Sequence, residues 1–210
     1  MNRHVTRRVA GDRREPSRGD QQRSAILRAL TEQLATVPLT DLSVLKIADH
    51  AGVTRTVFYF YFESKYAALA AALQEVWDEF AAAREPVEVL DGDTPPTDRI
   101  HRGIADAVAI WQRHGPLIRA LLQGRESDPQ LARMWQQLTE GTADSFTATL
   151  TTLRDQGRIT PASPDLRALV DVLLGMTAWT LTEQAALDEA ALGRRIEAMT
   201  VVWNVAVFGA

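Results

Sequence analysis

Side chains that can contact base edges lie close together in the first third of the chain. Arg55 can donate two parallel hydrogen bonds to the O6 and N7 atoms of a guanine, which makes it a natural reader of that base. Thr56, beside it, can offer a methyl group to thymine or a hydroxyl group to a base edge. This pair of residues therefore indicates contact with the major groove of DNA.

Five aromatic residues follow, from Phe58 to Phe62. A helix cannot bury all of them, because 3.6 residues per turn spread consecutive side chains around its axis. Phe58 and Phe62 are four residues apart, so we expect both in the core. Tyr59 and Tyr61 then face outward, where their hydroxyls can donate to phosphate oxygens. We expect Phe60 either to be partly exposed or to lie against the N-terminal arm.

Lys65 places a positive charge near the start of a predicted fourth helix. A cation is unfavourable at this end of a helix unless an anion such as a phosphate lies there. The sequence leaves two interpretations open: a phosphate contact, or a solvated lysine without a role.

Two short predicted helices position these side chains. Ser43 and Thr54 are N-cap candidates, and Gly52 lies where the chain must turn through a conformation that favours glycine. Two helices joined by such a turn form a helix-turn-helix, in which the start of the second helix meets the bases. An apolar stripe from Gln21 onward predicts one more helix packed beneath them, formed by Ile26, Leu27, Leu30 and Leu34.

The rest of the chain also has helical periodicity. Ser64 is a candidate cap for a fourth helix that ends near Arg84, and residues 85–97 are rich in proline and acidic side chains, which predicts a loop. Further helices are predicted near 97–113, 115–123, 129–156, 164–184 and 188–208. No segment alternates as a strand does, so we expect an all-α fold of about nine helices.

Composition and charge exclude several classes of protein. The 210 residues include no cysteine, which excludes disulfides and thiolate metal sites. Residues 1–66 contain 11 Lys and Arg against 7 Asp and Glu, whereas the remainder contains 12 against 20. A basic N-terminal part suits a polyanionic partner, although a basic disordered tail would give the same imbalance. Because there is neither a signal sequence nor an apolar run of ~18 residues, we expect a cytoplasmic protein that does not span a membrane.

The sequence contains no recognisable catalytic or metal site. Its four histidines are scattered, and it has neither a glycine-rich phosphate loop nor a nucleophile elbow. We therefore expect no enzyme activity, no metal and no cofactor.

Large apolar residues are frequent in the second half of the chain. One face of the helix predicted from residue 129 carries Trp135, Leu138, Thr139, Thr142 and Phe146. Such residues either fill a core or line an apolar pocket. The threonines either orient a ligand or bond to the backbone of their own helix.

The segment from Ile47 to Leu69 resembles the signature of TetR-type bacterial transcriptional repressors, through Ile47-Ala48, Ala51-Gly52-Val53-Thr54-Arg55 and the run from Phe58 to Lys65. The resemblance implies that four residues touch phosphates: Ser43, Tyr59, Tyr61 and Lys65. It implies that Thr54, Arg55 and Thr56 lie nearest the bases. Thr56 stands where the family often has a small residue or proline. Val57 stands where it often has threonine, so one phosphate hydrogen bond is expected to be missing.

The resemblance also implies an inducer pocket in the helical domain. We expect six residues to bound it: Trp111, Trp135, Leu138, Phe146, Thr177 and Trp203. The last two helices are implied to form a dimer interface, where Gly175 would either permit close approach or form part of the pocket wall.

These expectations divide the chain into three parts. Residues 1–20 form a disordered basic arm, 21–66 a three-helix helix-turn-helix DNA-binding domain, and 67–210 a larger helical domain for effector binding and dimerisation. The expected function is that of a homodimeric repressor that binds a palindromic DNA operator and is released by a small hydrophobic effector. The alternative is a helical small-molecule carrier with a vestigial helix-turn-helix.

Overall fold

The computed structural model describes residues 17–88, 96–183 and 187–209, and within these ranges it is all-helical, as predicted. Eight α-helices are described, against about nine expected. They are α1 (Arg18–Leu34), α2 (Val44–His50), α3 (Arg55–Tyr61), α4 (Lys65–Glu88), α5 (Pro96–Gly124), α6 (Pro129–Asp155), α7 (Leu166–Glu183) and α8 (Glu189–Phe208). A short 3-10 helix, Leu39–Asp41, connects α1 to α2. No helix in the described ranges is long and apolar enough to cross a membrane.

Helix α1 begins three residues before the predicted start. Ser17 caps it by accepting a hydrogen bond from the backbone of Asp20, whose carboxylate bonds back to Ser17. This capping box stabilises the first turn, so Arg18 to Asp20 are helical and do not belong to an arm. The remainder of the predicted arm, residues 1–16, lies outside the described residues.

Helix α5 corrects the prediction of two helices that meet at Gly115 and Pro116. It continues through both residues as one helix. Proline inside a helix removes one hydrogen bond and costs about 3 kcal/mol. Leu117, Ile118 and Leu121 directly after it are buried in the core, and their packing offsets this cost.

The loop predicted over 85–97 is also shorter than expected. Helix α4 continues to Glu88 and α5 begins at Pro96, while 89–95 lie outside the described residues. The predicted helices 129–156, 164–184 and 188–208 agree with α6, α7 and α8 to within two residues at each end.

Two groups of buried apolar side chains hold the helices together. One extends from α1 through α2, α3 and α4 into the second half of α5, and includes Ile26, Phe58 and Leu121. The other joins the first half of α5 to α6, α7 and α8, and includes Val170 and Trp203. Helices α1, α2 and α3 therefore share a core with α4 and α5, and through α4 and α5 they connect to the second group.

Gly124 marks the joint between the 3-10 helix and the end of α5. A methyl group at this position would lie 2.6 Å from Leu131 Cδ1 and 3.0 Å from Leu39 Cδ2. Leu39 and Leu131 can pack this closely against the backbone of residue 124 only because glycine has no side chain. The 3-10 helix that leads into α2 therefore packs directly against the end of α5, next to the start of α6.

Candidate nucleic-acid interface and apolar cavity

The turn between α2 and α3 has the local hydrogen bonds that the sequence predicts. Ser43 Oγ accepts from the amide of Lys46 at 3.2 Å, and Thr54 Oγ1 accepts from the amide of Val57 at 3.2 Å, so each hydroxyl caps a helix. Gly52 has a φ of 67°, in the left-handed region that favours glycine. These features fix the direction in which α3 leaves the turn.

Helix α3 buries one side and exposes the other. Phe58 is fully buried and Phe62 nearly so, with ring centroids 5.8 Å apart, as predicted. Arg55, Thr56 and Tyr59 are exposed. The guanidinium of Arg55 lies 5.4 Å from the ring centroid of Tyr59, which orients the arginine along the exposed side.

Phe60 and Tyr61 differ in their exposure. Phe60 is 80% exposed, in agreement with the first of its two alternatives, whereas the second, contact with the N-terminal arm, concerns residues outside the described ranges. Tyr61 does not face freely outward as expected: it is half-buried, and its hydroxyl donates to Gln22 Oε1 at 3.2 Å. Because Gly19 has no side chain, the start of α1 can lie close to this hydroxyl. A phosphate contact from Tyr61 would require its proton to change partner.

Lys65 has partners that neither of the two interpretations foresaw. Its Nζ donates to the carbonyl oxygens of Leu39 at 2.6 Å, Thr40 at 3.3 Å and Leu42 at 2.8 Å. Three carbonyl dipoles thus supply the negative potential that a phosphate was expected to supply. Burial lowers the pKa of Lys65, and the charge of Asp41 acts in the opposite direction with a smaller effect. The lysine ties the segment before α2 to the start of α4.

A cavity of about 390 Å³ lies among α4, α5, α6, α7 and α8. The six residues predicted to bound a pocket all line it, together with Thr139 and Thr142 from the same predicted face of α6. Gly175 also lines the cavity, so of its two predicted positions the structure shows the cavity wall. The volume is within the range of small-molecule sites, and the wall is predominantly apolar.

The hydroxyl protons of two wall threonines are donated to their own helices. Thr177 donates to Leu173 O at 2.9 Å, and it accepts from the indole N–H of Trp203 at 3.0 Å. Thr139 donates to the carbonyls of Trp135 and Gln136. Of the two roles considered for the threonines, these bonds to their own helix are the ones observed for this pair.

Sequence reasoning did not place several residues of the cavity wall, among them Trp77, Phe80 and Asp171. Trp77 and Phe80 come from α4, with ring centroids 6.2 Å apart, and Asp171 comes from α7. The spacing of three between Trp77 and Phe80 was a visible signal, but nothing in it shows that α4 crosses the other helices at this point. The indole N–H of Trp77 is buried and has no hydrogen-bond partner in the described part of the chain.

Helices α7 and α8 expose an apolar surface apart from the cavity. Five large side chains on them are between 45% and 69% exposed: Val172, Trp179, Val201, Val202 and Val205. Monomeric proteins rarely leave such a group uncovered.

A capped helix-turn-helix with exposed Arg55, Thr56 and Tyr59, followed by a larger helical domain, defines a DNA-binding transcriptional regulator. The comparisons specify which kind. Residues 26–72 match the family model described as "Bacterial regulatory proteins, tetR family". Residues 100–209 match the model described as "Transcriptional regulator EthR, C-terminal domain". The chain therefore belongs to the TetR family of bacterial transcriptional regulators.

Relatives of full length agree with this assignment. The chain is 28% identical over 196 residues to the HTH-type transcriptional regulator EthR of Mycobacterium tuberculosis. This match covers 91% of this chain and 89% of the relative. It is 27% identical to EthR of Mycolicibacterium smegmatis, over 97% of this chain and 94% of the relative. Among solved structures, NalD of Pseudomonas aeruginosa has the same fold, with a TM-score of 0.74 and 17% identity over 90% of this chain and 98% of NalD. Salmonella enterica GusR gives a TM-score of 0.72 and 16% identity over 91% and 97%.

Proposed function

We propose that the protein is a homodimeric, ligand-responsive repressor that binds a palindromic operator and is released by a small apolar effector. The observation that carries this proposal is the exposed side of α3, which presents Arg55, Thr56 and Tyr59 while Phe58 is buried beneath it. A rigid helix with a polar exposed side suits the major groove. We place such a protein in the cytoplasm, with no enzyme activity.

Three side chains are proposed to contact the bases of the operator, and four to contact its phosphates. Thr54, Arg55 and Thr56 begin α3 and would lie nearest the bases. The proposed phosphate contacts come from Ser43, Tyr59, Tyr61 and Lys65. Ser43 and Tyr59 are exposed, whereas Tyr61 and Lys65 each donate within the chain and would have to exchange a partner for a phosphate.

The exposed apolar surface of α7 and α8 supports the proposed dimer. Five large side chains there would be covered by the same surface of a second copy, as in a two-fold symmetric interface. A dimer presents two α3 helices, which must be about 34–36 Å apart to enter successive major grooves. In this proposal the residues before α1 act as the arm, α1 to residue 66 as the reader, and 67–210 as the effector domain, although the core shared by α1, α4 and α5 joins the last two mechanically.

The cavity supports control by an effector. Its walls come from five helices, and one of them, α4, begins at Lys65 directly after the helix-turn-helix. A ligand that binds better to a conformation with the wrong spacing of the α3 helices would shift the population away from the DNA-binding state. The packing of Leu39 against Gly124, at the end of α5, is a second mechanical connection between the helices that line the cavity and the helix-turn-helix.

A gel-shift assay with the DNA upstream of the protein's own gene tests the proposal. We expect a retarded complex with the stoichiometry of a dimer that resists competition by random DNA. Trp179→Glu should weaken both dimerisation and operator binding, because it places a charge in the proposed interface, whereas Glu140→Lys on the exposed side of α6 is the control. Ligand binding without specific DNA binding would instead support a carrier protein with a vestigial helix-turn-helix.

A further inference from the structure

The described part of the cavity wall carries no positively charged side chain. None of the described residues that line it is lysine, arginine or histidine, and six of them are aromatic: Trp77, Phe80, Trp111, Trp135, Phe146 and Trp203. A carboxylate or sulfate ligand would therefore lose its hydration without gaining a counter-ion, which is unfavourable in an apolar site. This composition selects against anionic ligands.

Among the described wall residues, the one ionised group is negative. Asp171 lines the cavity from α7, and its side chain is 51% exposed, so it marks an end of the cavity that water reaches. Arg167 Nε contacts both carboxylate oxygens of Asp171, at 2.9 and 3.1 Å. The same guanidinium also donates through Nη1 to Asp144 at 2.6 Å. Two carboxylates thus share one guanidinium, so these three side chains together carry one net negative charge beside the cavity.

The aromatic walls favour the same sign of ligand charge. The face of an aromatic ring carries negative potential and attracts cations within about 6 Å of its centroid. The guanidinium of Arg125 already occupies one wall ring, at 5.3 Å from the ring centroid of Trp135, so the other five aromatic side chains supply this attraction. A ligand cation close to Asp171 would combine attraction to the carboxylate with partial hydration at the open end.

We propose that the cavity takes lipophilic monocations, with an alkyl or aryl body among the aromatic side chains and an amine or quaternary ammonium head beside Asp171. This inference rests on the proposed function only in that the cavity is the effector site. It adds the charge class of the ligand and assigns Asp171 as a specificity-determining residue.

Three amphiphiles with the same ten-carbon chain test the proposal: decyltrimethylammonium, 1-decanol and decanoate. Each is titrated by calorimetry into the full-length protein at neutral pH and low salt, below its micelle-forming concentration. We expect the ammonium compound to bind about tenfold more tightly than decanoate, with the alcohol between them, as one partly exposed charge interaction predicts for each sign. Equal affinities for the ammonium compound and decanoate, or tighter binding of decanoate, would overturn the proposal.

Two variants locate the effect. Asp171→Asn keeps the size of the side chain and removes its charge, so the preference for the cation should fall at least threefold. Asp155→Asn is the matched control, because it makes the same change of net charge at the end of α6, on a residue that does not line the cavity. If Asp171→Asn keeps the full preference, or if both variants lose it equally, the assignment of Asp171 is wrong.

A further variant separates failure of the charge inference from failure of the effector site. Leu138 lines the cavity from α6, so the larger side chain of Leu138→Trp should reduce the space for a ligand. It should weaken binding of all three amphiphiles. If wild-type protein binds all three with one affinity and Leu138→Trp blocks them, the cavity is a ligand site without charge selection. If none binds, or if Leu138→Trp has no effect, both the charge inference and the proposed effector site fail.

Discussion

The helix-turn-helix and the cavity region differ in how completely their side chains are packed. In the first, Ile26, Leu30, Ile47 and Phe58 have no exposed surface, and no residue before Trp77 lines the cavity. In the second, Phe146 and Trp203 contact each other on one side and border about 390 Å³ of open space on the other. The helix-turn-helix therefore has a filled core, whereas the helices of the cavity region surround an unfilled space.

In the proposed function, this difference follows from what the two regions bind: DNA for the helix-turn-helix and an effector for the cavity region. A DNA-binding helix must present its side chains at fixed positions, because a hydrogen bond to a base weakens steeply when its donor leaves the favourable distance and angle. A region that accepts a ligand needs unfilled volume and helices that can move relative to one another. The caps at Ser43 and Thr54 and the triple contact of Lys65 serve the first requirement, and the meeting of five helices around a void serves the second.

The largest effect is expected from truncating a phenylalanine in each region. Phe58→Ala removes a side chain without exposed surface and should lower the free energy of unfolding by about 3–5 kcal/mol. Phe146→Ala should cost clearly less, because that side chain already borders open space and its loss enlarges an existing cavity. Chemical denaturation of both variants measures the difference. Equal losses would show that the cavity region is as tightly packed as the helix-turn-helix.

The two lysines of the chain form a second matched pair. Lys65→Met leaves three carbonyl oxygens without their donor, so we expect a loss of about 1–3 kcal/mol in the free energy of unfolding. Lys46→Met removes a single exposed bond to Asp41 O at 3.3 Å and should change stability little. If Lys65→Met unfolds like wild-type protein but binds DNA with a shallower salt dependence, Lys65 acts on phosphate and does not brace the fold.

Substitution of Arg55 tests whether the helix-turn-helix also determines the DNA sequence that the protein prefers. Arg55→Ala should weaken operator binding by about 1–3 kcal/mol and flatten the preference at one operator position, with no change in thermal unfolding, because the side chain is exposed. Binding to a set of operators that differ in single bases measures this. An equal loss on specific and random DNA would make Arg55 a phosphate contact.

The smallest effects are expected at two glycines that both have space for a methyl group. Gly52→Ala should destabilise the fold by about 1 kcal/mol, because its φ of 67° strains any residue with a side chain. Gly175→Ala should stabilise it by about 0.5–1 kcal/mol, because alanine favours the helix and the methyl points into open space. Differential scanning calorimetry of both variants decides this, and a loss of stability in Gly175→Ala would mean that the space around it is not open.

Local features of the fold could be predicted because their causes lie within a few residues. Ser43, Thr54 and Ser64 each cap a helix through an amide three residues further along the chain. The left-handed turn at Gly52 and the burial of Phe58 and Phe62 likewise follow from short spacings. Helix type, turn position and the exposed side of α3 were therefore visible in the sequence.

Contacts between distant segments were not visible, and they account for the corrections at Tyr61, Lys65, α5 and the cavity wall. The partner of Tyr61 is 39 residues away on α1, and the carbonyls that bind Lys65 are 23 to 26 residues away. Helix α5 continues through Pro116 because the core around Ile118 and Leu121 stabilises it more than the proline destabilises it. Trp77, Phe80 and Asp171 reach the cavity only because α4 and α7 cross α5 and α6 there. Spacing along one helix determines which side chains share a face, but the packing of whole helices decides what that face meets, since it depends on every other helix at once.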